Sequence, residues 1–111
     1  MQRGGRMTMR HLAWAALAAM LAGCGGGETD QAVQACVAAV AEKLGSDRNY
    51  RLDQADMAAK AEAQDDHVVH IRSPIVFDPG LPREYTQTLD CRARFGEDGG
   101  PPDVISLNFI W

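Results

Sequence analysis

The chain has 111 residues, 46% of them hydrophobic, enough for one domain and its own modest core. A mean hydropathy of -0.24 excludes a polytopic membrane protein. Once Arg3, Arg6 and Arg10 near the start are set aside, eight of the 11 basic residues remain against all 15 acidic ones, a net of -7. That acidity disfavours DNA, RNA or an anionic membrane surface as a partner, since each calls for a basic footprint.

Residues 1–11 are basic and carry no acid, and residues 12–22 (LAWAALAAMLA) form an apolar run. A run that short falls well below the roughly 20 residues a membrane-spanning helix needs. A basic start, a short apolar centre and small residues after it make the order of a secretory signal. Met7 and Met9 stand as alternative starts to Met1. The apolar run ends on Leu21-Ala22-Gly23-Cys24.

These four residues resemble the lipobox of bacterial lipoproteins, where a leucine and two small residues precede the modified cysteine. The resemblance covers only the first 25 residues or so. It implies cleavage before Cys24, a diacylglyceryl thioether on its sulfur and an acyl chain on the new amino group. Each buried methylene then adds about 0.8 kcal/mol of membrane affinity, and stable anchoring takes two chains or more. Gly25 stands where an aspartate is associated with inner-membrane retention, so the resemblance favours the outer membrane, facing the periplasm. Residues 25–30 (GGGETD) read as a flexible tether reaching about 13 Å.

Asp30 is the expected N-cap of the first element. Val33, Cys36, Val37, Val40 and Leu44 then recur at three- and four-residue steps, one face of an amphipathic helix over 31–44, with Gly45 as its stop. Residues 50–64 are rich in helix formers. Yet Met57, Ala59, Ala61 and Ala63 alternate with Ala58, Lys60, Glu62 and Gln64, so the period favours a strand. Residues 67–77 (HVVHIRSPIVF) read as a strand with Val69, Ile71, Ile75 and Phe77 on one face. Pro74 in it calls for a sheet edge or a bulge. Asp78-Pro79-Gly80 is a turn.

Residues 85–95 alternate most cleanly. Tyr85, Leu89, Cys91, Ala93 and Phe95 share one face with Gln87, and Thr86, Thr88, Asp90, Arg92 and Arg94 make the other, wet face. Residues 96–103 (GEDGGPPD) read as a long hairpin connection. A last strand places Ile105, Leu107, Phe109 and Trp111 on one side, as core, and Ser106 and Asn108 on the other. The sum is a two-layer α+β domain over 31–111, one helix on three or four antiparallel strands.

With Cys24 acylated, Cys36 and Cys91 remain as an even pair, one on the apolar stripe of the helix and one on the apolar face of the best strand. Those faces meet in this fold, and an exported chain meets an oxidising compartment, so a Cys36–Cys91 disulfide is expected. Asp65, Asp66, His67 and His70 invite a metal. On a strand, however, positions 67 and 70 point to opposite sides, and a polar turn explains them better. Glu97, Asp98 and Asp103 do not follow the alternating oxygen ligands of a calcium loop. No P-loop, GxSxG or HExxH is present.

The sequence therefore assigns no catalytic residue, metal or cofactor. It points to a non-enzymatic binding or structural domain of a small lipid-anchored envelope protein. The expected partner is another envelope protein or a cell-wall component. The alternative is an inhibitor or immunity module against an envelope-acting hydrolase, whose basic surface would suit the acidic chain.

Overall fold

The computed structural model describes residues 27–65 and 67–111. The lipobox and signal residues lie outside this range, as does Asp66. Helix α1 spans Glu28–Leu44 and buries Ala32, Val33, Cys36 and Val40, the stripe expected from the sequence. It starts three residues earlier than the sequence suggests. Gly27 occupies the N-cap with no side-chain hydrogen bond, which leaves Asp30 inside the first turn beside Glu28. There both carboxylates favour the helix through its dipole. Gly45 ends the helix at φ 74°, its N–H bonded to the Ala41 carbonyl.

Residues 50–64 depart from the strand that their alternation favours. They form strand β1 (Tyr50–Leu52), a short helix α2 (Gln54–Ala59) and strand β2 (Glu62–Ala63). The reasons are local and tertiary together. Asp53 caps α2 by accepting from the Asp56 amide at 3.0 Å. The helix then sets Met57 fully into the core. Asp53→Ala removes this cap and should cost about 1 kcal/mol, read as a lower urea midpoint with the slope unchanged.

Strand β3 (Val68–Phe77) carries the sheet. On one side it pairs along its whole length with β4 (Tyr85–Arg94). On the other it takes β1 at residues 75–77 and β2 at residues 69–70. Pro74 falls in the gap between β1 and β2. Its missing N–H therefore leaves no ladder bond unmade, although the strand is central elsewhere. The turn at 78–80 is observed, with Asp78 at φ 50° and Gly80 at φ 79°. Strand β5 (Asp103–Ile110) pairs with β4 and closes the order β1-β3-β4-β5. The sheet is antiparallel throughout.

The last strand differs from its sequence reading. A bulge shifts register so that Arg92 faces Ser106 but Ala93 faces Val104. Val104 thereby replaces Ile105 among the residues packed on the core with Leu107 and Phe109. Ile105 and Trp111, expected as core, stand exposed. The alternation holds from Ser106 onward, and one extra residue reverses its phase only at Ile105. Trp111 keeps the phase of Phe109 but lies beyond the end of the strand.

α1 lies across the inner face of the sheet. Val33, Cys36, Val40, Met57, Ile71, Ile75, Phe77, Leu89 and Cys91 form one cluster there. The disulfide joins Cys36 to Cys91, 55 residues apart, with their Cα atoms at 6.3 Å. It links helix to sheet at the centre of the core, where both residues are fully buried.

Candidate functional site

The outer face of the sheet, away from α1, holds a polar cluster that the sequence does not reveal. Asp90 was expected on a wet face, yet it is 4% exposed. Register explains this. Arg72 sits directly across from Asp90, and Arg92, two residues along β4, sits across from His70. The shorter carboxylate is therefore roofed by three longer side chains.

Arg72 Nε donates to Asp90 Oδ2 at 2.9 Å. His70 Nε2 stands 3.0 Å from Oδ1; since an ionised carboxylate only accepts, that ring nitrogen carries the proton. Arg92 Nη1 reaches Oδ1 at 3.5 Å, and its Nε donates to Gln64 just beyond β2 at 3.0 Å. Burial pushes the Asp90 carboxyl up. The hydrogen bonds from Arg72 and His70, with their charge, outweigh it and hold the group below its ordinary value.

A hollow of about 450 Å³ opens beside the cluster, lined by Ala59, Lys60, Glu62, His70 and Arg72. Its two cations are matched: Lys60 Nζ lies 2.9 Å from Asp56 Oδ2, and Arg72 is held by Asp90. Asp56 also accepts from the buried Ser73 hydroxyl at 2.6 Å. That bond first and the one from Lys60 second lower the Asp56 carboxyl from its ordinary value. Small-molecule pockets are mostly apolar with a few polar anchors; this hollow is lined by four polar or charged side chains and one alanine.

The cluster orients guanidinium groups. Among the described residues no hydroxyl or thiol is hydrogen-bonded to the His70 imidazole, as a nucleophile for acyl transfer would be. Ser73 gives its hydroxyl to Asp56, and Ser106 stands 3.5 Å from Arg92, so neither serine of the sheet is paired with His70.

The other residues singled out in the sequence fall apart in space. Asp65 Oδ1 accepts from the amides of His67 and Val68, the turn geometry expected of it, while His70 belongs to the Asp90 cluster. Among the described residues no three His, Cys, Asp or Glu side chains gather as metal ligands. Asp98 binds the Gly100 amide at 3.0 Å and closes its own loop. Arg94 lies exposed opposite Asp103.

A second feature is an aromatic pile at the β3–β4 turn end. Phe77 and Tyr85 stack at 5.0 Å, Tyr85 and Trp111 at 5.3 Å, and Phe109 meets Phe77 edge-on at 5.7 Å. Arg48 lies 4.6 Å over the Phe77 ring and donates to the Tyr85 hydroxyl at 3.0 Å. Among the described residues no helix is long and apolar enough to cross a membrane. The chain matches no protein-family model, and neither a curated protein nor a solved structure matches it significantly.

Proposed function

We propose that the chain is an envelope lipoprotein, cut before Cys24 and held to the membrane by lipid on that cysteine. Its small domain acts by contact with another envelope protein or a cell-wall component, and not by catalysis. The observation that carries this reading is the core disulfide between Cys36 and Cys91. Such bonds persist where the surroundings are oxidising, outside the reducing cytosol. That is the destination a secretory signal and lipobox imply.

The start of α1 supports the same reading. Glu28 is already helical, so only Gly25, Gly26 and Gly27 separate the helix from Cys24. Four residue steps span at most about 14 Å, which keeps the domain against the lipid surface. The helix then runs about 25 Å from that end toward the aromatic pile, where contact with a partner is unobstructed by the bilayer. Expression of Cys24→Ala should move the protein from the membrane fraction to the soluble one, and intact mass should show loss of the acyl chains. Retention of the variant in the membrane would overturn the anchor.

A further inference from the structure

Among the described residues four large apolar side chains stand exposed: Leu81, Ile105, Ile110 and Trp111. Three of them lie on β5 or directly after it. β4 pairs with one side of β5, and no strand of the described residues pairs with the other. The open side is a row of backbone groups able to accept another strand. Between Asp103 and Trp111 the strand carries a single charge, at Asp103, and is otherwise aliphatic, aromatic or neutral. Lys43 reaches over it, its Nζ 3.4 Å from the Leu107 carbonyl and 5.8 Å from the centre of the Phe109 ring. The bond shows that this carbonyl is reachable from outside the ladder. It is a long, exposed bond that a backbone amide would replace.

We propose that β5 pairs antiparallel with β5 of a second copy of this chain, about a two-fold axis at Leu107. An edge this low in charge calls for a partner strand equally low in charge, and its own copy is one. Antiparallel pairing also keeps the two Asp103 carboxylates at opposite ends. Leu107 of each copy exchanges both backbone hydrogen bonds with the other. Asn108 then faces Ser106. Beyond the bulge at Ile105, Ile110 faces Asp103 and Trp111 faces Pro102.

The two ends of the strand fit each other in this register. Trp111, 85% exposed, stacks on Tyr85 and so projects on the α1 side of the sheet. At the opposite end of β5, on that same side, a shallow hollow of about 440 Å³ lies between Ala35, Ala38, Ala39 and Glu42 of α1 and the Pro102-Asp103-Val104 segment. The two-fold axis sets the Trp111 of each copy against this hollow of the other. The contact is isologous and closes as a dimer, and the joined sheet has no open β5 edge left. The inference stands apart from the lipid anchor; on a membrane, tethering would raise the effective concentration of the two copies.

The experiment is sedimentation equilibrium on the full chain carrying Cys24→Ala, which excludes acyl chains and a stray thiol. A dimer is expected. Ala38→Glu, at an exposed helix position, should weaken it about tenfold or more with an unchanged circular dichroism spectrum, and Trp111→Ala should do the same. Ile110→Asp sets a carboxylate against Asp103 of the other copy and should weaken association, while Ile110→Lys should preserve it. A chain that remains monomeric at millimolar concentration overturns the proposal. A dimer indifferent to both Ala38→Glu and Trp111→Ala overturns it as well, and equal effects of Ile110→Asp and Ile110→Lys overturn the register.

Discussion

Replacing Cys36 and Cys91 together by alanine should lower the stability of the domain by about 4 kcal/mol, the chain-entropy value for a closed loop of this length. The bond joins residues 55 apart, so the reduced chain recovers most of its freedom when it unfolds. Against total stabilities of about 5–15 kcal/mol for globular domains, this is a large share. For a domain of fewer than 100 residues each kcal/mol moves the melting temperature by about 4–8 °C, so a fall of roughly 20 °C is expected. Circular dichroism melts of oxidised wild type and the double variant measure it. Both sulfurs are fully buried, so the variant also loses packing, and a drop of only a few degrees would contradict the role assigned to the bond. Thiol counting on the denatured protein after export should find neither Cys36 nor Cys91 free.

The second large effect belongs to Asp90. Asp90→Ala should destabilise the domain by about 2–3 kcal/mol, the range expected when buried charge-assisted hydrogen bonds lose their acceptor. The cost stays below that of a fully buried pair. The Arg72 side chain is 64% exposed and returns to water, whereas the His70 side chain, 14% exposed, is left with an unmatched donor. Asp90→Asn keeps the volume and one acceptor oxygen but loses the charge and turns its NH2 toward Arg72 or His70, both donors here. It should destabilise in the same direction by less than Asp90→Ala.

The pH dependence has a definite sign. The folded Asp90 carboxyl titrates below its ordinary value, so its contribution is complete above about pH 4, the unfolded value. It is lost as pH falls through the folded one. The gap in stability between wild type and Asp90→Asn should therefore be wide at pH 6 and close progressively below about pH 4. Urea titrations across that range measure it, and a gap of constant width would show that the carboxylate charge contributes nothing. Asp56 titrates in the same direction, so the wild type should lose further stability in acid that Asp90→Asn also loses.

These two effects sit on opposite faces of one sheet, and they differ in how far the sequence discloses them. The disulfide is visible in advance because each cysteine lies on an apolar stripe whose period identifies its face. Cys36 follows the three- and four-residue steps of α1, and Cys91 follows the two-residue steps of β4. Two apolar faces in a domain this small have only each other to cover. The Asp90 cluster has no such trace. Its residues come from β3 and β4 and from just after β2, and Arg72 meets Asp90 only because of register, which no local pattern encodes. An aspartate between two polar neighbours on an outer face looks like any solvated residue.

Periodicity, turn residues and composition determined the α1 stripe, the strands read at 67–77 and 85–95, the turn at Asp78-Pro79-Gly80 and, once the lipobox resemblance sets Cys24 aside, the pairing of Cys36 with Cys91. These depend on contacts between neighbours along the chain and on the need to bury one face. Tertiary structure decided the rest. Met57 turns residues 54–59 into helix because the core has room for it there. The bulge at Ile105 exchanges it for Val104 because the strand must keep pace with β4. Asp90 is buried because Arg72, His70 and Arg92 are brought over it from across the sheet. In each case the deciding free energy comes from residues far away in the chain, and only the folded sheet brings them within reach.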